Sequence, residues 1–425
     1  MNTSSLIILD PSLVSTQGHH YELAHLLSLA AQRASLDVKW LAHKDFPLDL
    51  TPAGVQVFPH FQSSMYDQYK KGAQTQAPAP IAEQIETGLK SCRATPDDHV
   101  LVHTGDGNIY RALNQILSQR DFRTLPKLHI CTPYDIVTMP GKTKGETLEQ
   151  TFADLRSQDC LNRTLFSWAE TAPLARHMTR TLGIETLPLE IPPAKAISAK
   201  RMPQDGPVTF VYMGAAREEK GFHLLPELIR RVSEKLAPGK VFFDIQASPQ
   251  IIGYLPIIKK AITQLETFPG DLVHLRRENQ SPETYKSTLA HCHGVLLLYD
   301  QQKYRIRGSG IAVEAISNGK VLVTTQDTFP ASLITHGGGI VANDVETWAN
   351  GIVDMARNTS RFMARAAVQQ IDYEVKNTSD RYISRLLERP SYARHLVSSP
   401  YCRIQNDFPM MVQSGLTDIS AGKTS

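Results

Sequence analysis

Three small residues, Gly308, Ser309 and Gly310, stand together in YRIRGSGIAVEAISNGKVLVTT, the segment from Tyr304 to Thr325. The apolar run after them suits a helix, so they fall at a helix start, where backbone N–H groups are unpaired and the dipole end is positive. Such a start attracts phosphate, and glycine lets the phosphate come close to the backbone. Arg305 and Arg307, just before it, can neutralise anionic charge. Glu314, four residues after Gly310, lies about one turn further on nearly the same face, where a carboxylate can accept two ribose hydroxyls. Ile311, Ala312, Val313, Ala315 and Ile316 make the helix apolar almost all round, so it is expected to be buried, and a buried carboxylate needs a partner. That partner is either a ligand or another structural element bridged by Glu314, with GSG then only a tight turn before a core helix. The layout is that of a nucleotide diphosphate site.

A second segment, VTFVYMGAAREEKGFHLLPEL, sets Gly214 at the end of a strand, Arg217 and Lys220 on the following loop, and Gly221 at the opening of an amphipathic helix. Alone, REEK reads as a solvated cluster in which Glu218 and Glu219 cancel the cations. With the first segment, it is a second loop that delivers cations beside a glycine, and the two would face each other if both lie at one sheet edge. In a third segment, HVLVHTGDGNIY, His103 ends a strand and Asp106 is a second polar candidate. A histidine there can orient a sugar or share a proton, or it can be satisfied by a backbone carbonyl at the strand end. GDGNIY imitates the start of a dinucleotide fingerprint, but Tyr110 replaces the glycine that close helix packing demands, which argues against a Rossmann dehydrogenase.

These residues must be held by strands and helices. Short β-branched runs alternate with helical patterns, the signature of parallel sheets covered on both faces. Strands are expected at Leu6 to Leu9, Val38 to Leu41, Val55 to Phe58, Val100 to His103, Leu128 to Cys131 and Thr164 to Ser167. After five prolines between Pro188 and Pro207, strands restart at Val208 to Met213, Val241 to Ile245, Leu272 to Leu275, Val295 to Tyr299, Val321 to Thr324 and Ile340 to Ala342. Helices are expected over HHYELAHLLSLAAQRA, Val345 to Arg357 and Ser360 to Leu387. The expected fold class is α/β, with two doubly wound Rossmann-like domains facing a cleft. Residues 1–190 form the first domain, 191–207 a linker, 208–370 the second domain, 371–390 a closing helix and 391–425 a weakly ordered tail. In such sheets ligands bind beyond the carboxyl ends of the strands, so both sets of loops point into the cleft.

The 425 residues carry a net charge of +3, with no extended basic face and no aromatic RNA signature, so nucleic acid is not an expected partner. The five cysteines are scattered and never paired as CxxC, which suits a reducing cytoplasm. No run approaches a membrane span, although surface contact with a membrane stays open. The chain has no DxD pair and no His/Cys/carboxylate cluster at ligand spacing, so neither a metal nor a cofactor is expected.

The two phosphate-facing segments, their separation, and AETAPLARHMTRTLGIETLPLEIPP between them resemble the retaining GT-B glycosyltransferases of the group 1, family 4-like type, which use nucleotide sugars. The resemblance places the donor diphosphate on Arg217 and Lys220, with Arg217 two residues later than the usual spacing. It places the ribose on Glu314. Ile306 stands where that family carries another glutamate, eight residues before Glu314, so the sugar contacts would fall to Tyr304, Arg305 or Arg307. Ser309, Gly310 and Ile311 would reach the phosphates. The strand end Leu272 to Arg277, including Arg276, would line the base. Gly18, in STQGHHYE, would supply the glycine loop of the first domain, with His19 and His20 opening the helix beside it, and His103 would be the active-site histidine. The implied activity is metal-independent transfer of a hexosyl or related sugar from a nucleoside diphosphate sugar to a glycan, lipid-linked sugar or small-molecule acceptor. A sugar nucleotide epimerase of the same fold and a non-catalytic nucleotide-binding protein are the alternatives.

Overall fold

Strands covered on both faces are mostly apolar, with any buried hydroxyl hydrogen-bonded: Ser5–Leu9, Leu165–Ala169 and Val321–Thr325 are buried along their whole length, and within them Ser167 meets the Tyr110 hydroxyl and Thr324 donates to the Leu297 carbonyl. The computed structural model describes residues 4–16, 18–64, 78–136, 148–193, 206–249 and 253–397. Among these, seven strands form one sheet and six form another. The first holds β1 (Ser5–Leu9), β2 (Asp37–His43), β3 (Val55–Phe61), β4 (His99–Val102), β5 (Lys127–Thr132), β6 (Leu165–Ala169) and β7 (Thr186–Pro188), in the order β3-β2-β1-β4-β5-β6-β7. The second holds β8 (Val208–Tyr212), β9 (Val241–Gln246), β10 (Val273–Arg276), β11 (Gly294–Leu297), β12 (Val321–Thr325) and β13 (Gly339–Ala342), in the order β10-β9-β8-β11-β12-β13. The described pairings are parallel, as Ile7 beside Lys39 and Val100, and Val211 beside Asp244 and Val295, illustrate.

Strand order reverses between β1 and β4 in the first sheet and between β8 and β11 in the second. Loops leaving neighbouring strands there diverge to opposite faces and open a crevice. The segments singled out above leave these four strands: Asp10 to His20 follows β1, His103 to Asp106 follows β4, Gly214 to Gly221 follows β8, and Tyr299 to Gly310 follows β11.

Alternation along β1 feeds two cores, with Ile7 and Leu9 packing on one face of the sheet and Leu6 and Ile8 on the other. The second face is closed by the end of the described chain. Tyr382, Ile383 and Leu386, on the helix Ser379–Val397, pack in the cluster of Leu6, Ile8 and Trp40. The chain therefore crosses to the second sheet and returns to the first.

Three expectations change. The single helix expected from Ser360 to Leu387 is two, Thr359–Lys376 and Ser379–Val397, because Thr378 starts a new helix by accepting a hydrogen bond from the Arg381 N–H at 3.1 Å. The last helix runs through Pro390 to Val397 although the weakly ordered tail was expected from residue 391. Packing on the first sheet anchors this helix, and a proline removes only one backbone donor. The rest of the expected tail, 398–425, lies outside the described residues, as does most of the expected linker. Strand β7 was not anticipated, since three residues are too few to show a period.

Gly221 shows how tightly the second sheet holds the loop that follows β8. It adopts φ 72°, and a Cβ there would lie 2.0 Å from the Leu298 carbonyl oxygen. Gly221→Ala is expected to lower stability by roughly 2–3 kcal/mol, read by urea denaturation. Gly310→Ala, with open space at its Cβ position, should change it far less.

Candidate functional site

On the second sheet, β8 is followed by Gly214, whose φ of 99° turns the chain and whose N–H donates to Gln246 Oε1 at 3.1 Å. A Cβ on Gly214 would sit 3.3 Å from Ile311 Cδ1 and 3.8 Å from Lys220 Nζ. The loop after β8 and the helix start after β11 therefore touch, with a glycine at the contact whose positive φ disfavours any other residue. Lys220 Nζ lies 5.8 Å from the centre of the Tyr299 ring. Burial, together with Arg217 and Arg307, pushes the Lys220 pKa down to about 8, with Glu219 partly offsetting this. Glu219 neutralises part of this group, its Oε1 lying 3.6 Å from Arg217 Nη1, and three cations against one carboxylate leave the place net positive and suited to a further anion.

The helix Gly310–Ser317 starts at this cation group. Ser309 caps it, accepting from the Ala312 N–H at 3.3 Å, and its hydroxyl meets the Tyr299 hydroxyl at 3.1 Å. Gly310 is exposed, so the helix start is open to a ligand. Tyr304 is buried, its ring 4.1 Å from that of Tyr299, and Arg307 lies 5.3 Å over it. Tyr304 thus serves as the platform beneath Arg307.

Glu314 is partly buried, and burial raises its pKa to about 7 despite the hydrogen bond it accepts from the Tyr285 hydroxyl. One oxygen bridges to the helix Pro282–His291, as the structural reading expects, and the other has no hydrogen-bond partner among the described residues. The opposite wall is near. Lys286 Nζ lies 3.2 Å from Glu22 Oε1, on the helix His19–Arg33 that begins after Gly18.

The first-sheet side contains a feature that the sequence did not disclose. Asp10, at the end of β1, receives His20 Nδ1 at 2.7 Å and has His103 Nε2 at 2.9 Å, both at Oδ2, while Oδ1 accepts from the Ser12 N–H at 2.8 Å. All three side chains are buried. Burial alone would raise the Asp10 pKa, but the two imidazoles outweigh it and hold the carboxyl well below the usual range. His103 Nδ1 faces the Thr104 hydroxyl at 3.0 Å. Asp10, His20 and His103 also bring three metal-ligand atoms within 4.8 Å of one another. No spacing along the sequence announces this group, because residues far apart in the chain meet where β1 and β4 adjoin.

Other expected residues have structural work. Asp106 caps the helix Gly107–Gln119, its carboxylate accepting from the Asn108 and Ile109 N–H groups at 3.0 Å. Gly221 provides a turn packed on Leu298 and does not line the open face of the site. Arg276 forks onto Asp244 at 2.8 and 2.7 Å, so its guanidinium is engaged and is not a free donor contact. Ile306 packs against the apolar cluster of the first sheet, and its carbonyl accepts from the Thr171 hydroxyl at 2.6 Å.

No family model matches the sequence, and no curated protein matches it. Solved structures do. A UDP-forming trehalose-phosphate synthase from Burkholderia xenovorans is 12% identical and covers 92% of this chain and 100% of its own, with a TM-score of 0.64. The E. coli trehalose-6-phosphate structure bound with UDP-2-fluoro glucose is 14% identical over 90% of this chain and 99% of its own, at 0.64. A sucrose-phosphate synthase from Thermosynechococcus elongatus is 13% identical over 93% and 99%, at 0.62. The fold is GT-B. Two such sheets, each with its switch point at the cleft, account for the likeness across most of the chain.

Because the folded-state pKa of Asp10 is depressed, its ionised form adds stability above the unfolded-state value of about 4 and that stability is lost as pH falls below it. Asp10→Asn is therefore expected to flatten the loss of stability below about pH 4, read from urea midpoints across pH.

Proposed function

We propose that this chain is a glycosyltransferase that moves a sugar from a nucleoside diphosphate donor to an acceptor with retained anomeric configuration. The observation that carries this reading is the contact between the Gly214–Lys220 loop and the start of the Gly310–Ser317 helix, which gathers Lys220, Arg217, Arg307 and free helix-start amides into one anion-binding place. Those groups would hold the diphosphate and stabilise it as it leaves, the step at which negative charge develops. Glu314 would accept a ribose hydroxyl on its unpartnered oxygen. Asp10 would fix the orientation of His103 and His20 at the facing switch point, where the donor sugar meets the acceptor.

The fold neighbours support the choice of substrates to try. They include a UDP-forming synthase, a complex with UDP-2-fluoro glucose, and a trehalose-6-phosphate synthase studied for glycosyltransfer with retention. UDP-hexose is therefore the first donor proposed, and a phosphorylated sugar the first acceptor. No helix among the described residues is long and apolar enough to cross a membrane, and the four described cysteines are buried free thiols, which supports cytoplasmic work.

Calorimetry with UDP, GDP, ADP and CMP should show one diphosphate bound, and binding of none would overturn the reading. Glu314→Ala removes charge-assisted bonds and is expected to weaken binding about tenfold to a hundredfold in a folded protein.

The pH dependence follows from the two shifts. Glu314 loses its charge as pH falls below about 7, and Lys220 loses its charge as pH rises above about 8. Nucleotide affinity should therefore peak between these values. Glu314→Gln should flatten the acid limb and Lys220→Arg the alkaline limb. A profile unchanged by both variants would refute these roles.

A further inference from the structure

Glu170 was not among the expected site residues, yet it lies where a loop of the second sheet meets the first. It follows β6 at the carboxyl edge of the first sheet, where its N–H donates to the Thr132 carbonyl at 3.1 Å. The next residue, Thr171, caps the helix Ala172–Leu182 and also donates its hydroxyl to Ile306 of the second sheet's loop. Glu170 is thereby pinned across the cleft from Arg307 and Gly308. A Cβ on Gly308 would lie 2.6 Å from Glu170 Oε2, so glycine at that position is what admits the carboxyl. Among the described residues no hydrogen-bond partner meets this carboxyl. A partly buried carboxyl with unused oxygens, fixed at both flanking residues, is poorly explained by folding alone.

Its place relative to the cations points to a ligand group. A diphosphate held among Lys220, Arg217, Arg307 and the helix-start amides has two ends. The nucleoside end runs toward Glu314, further along the Gly310–Ser317 helix. The other end leaves on the side of Arg307 and Gly308, before the helix start, where Glu170 stands. The chemical group at that end of a sugar nucleotide is a ring of hydroxyls, and hydroxyls donate well to carboxyl oxygens. Ile306, turned into the apolar cluster of the first sheet, supplies no polar group on this side.

We propose that Glu170 reads the sugar of the donor, its carboxyl binding hydroxyls of the ring attached to the diphosphate from across the cleft. This rests on the donor site proposed above and assigns its sugar pocket to a residue of the opposite domain. Burial raises the Glu170 pKa to about 8, with Arg307 partly offsetting it, so near neutral pH the carboxyl can both accept and donate toward a sugar. This state also limits its repulsion of the diphosphate.

Calorimetry on the full chain compares UDP with UDP-glucose for wild type, Glu170→Gln and Glu170→Ala, with thermal melting to confirm folding. In Glu170→Ala the affinity for UDP should stay within about twofold, while the ratio of UDP-glucose to UDP affinity should fall about tenfold. Glu170→Gln, which keeps one acceptor and adds donors, should fall between. An unchanged ratio in a folded Glu170→Ala overturns the proposal, as does an equal loss of both ligands, which marks a merely structural role. If wild type binds GDP or ADP in place of UDP, the same ratio is read with that diphosphate and its glucose conjugate. If wild type binds no diphosphate, the donor site itself is wrong and this role falls with it.

Discussion

Three like charges do not gather in a partly buried place unless the chain makes them. Lys220, Arg217 and Arg307 are brought together by two glycine-dependent contacts, Gly214 against Ile311 and Gly221 against Leu298, and the depressed pKa of Lys220 records the cost. The rest of the second domain supports this arrangement. Tyr299 and Tyr304 stack beneath the cations, Ser309 starts the helix whose amides face them, and β8 and β11 diverge at the switch point to leave room between the loops. An anion with several negative oxygens is the natural relief for such a strained electrostatic group.

The first domain answers with the opposite chemistry. Asp10 stays ionised because two imidazoles and a backbone N–H converge on it, so a buried group of oriented histidines, instead of bare cations, underlies this switch point. Between the walls run contacts of modest reach: Lys286 to Glu22, Thr171 to the Ile306 carbonyl, and the Ile306 side chain against the first core. Each involves few atoms, and interfaces of this kind permit domains to move relative to each other. The helix Ser379–Val397, packed on the first sheet after the chain has left the second, ties the two ends of the described chain to one domain.

Much of this was legible in the residues. Strands announced themselves as apolar β-branched runs, and the two phosphate-facing segments as glycine with nearby cations, because those signals are local. Their contact was only conditional, since nothing in residues 214 and 311 says that they meet. Arg276 looked available because its partner Asp244 is on a neighbouring strand, thirty-two residues away. The helix-capping bonds of Asp106 could not be told in advance from a catalytic role, because a helix cap and a reactive carboxylate are the same residue type at a strand end.

What the sequence by itself determined is the class of the molecule and the local character of two loops of its second sheet: alternating strands and helices, and a loop and a helix start suited to an anion. Tertiary structure alone decided that Asp10, His20 and His103 form one buried group, that Ile306 is an anchor across the cleft, and that Glu170 faces Gly308. The physical reason is range. Backbone preference and helix-end electrostatics act over a few residues and can be read in order along the chain, whereas a carboxylate's partners are set by which strands the sheet places side by side.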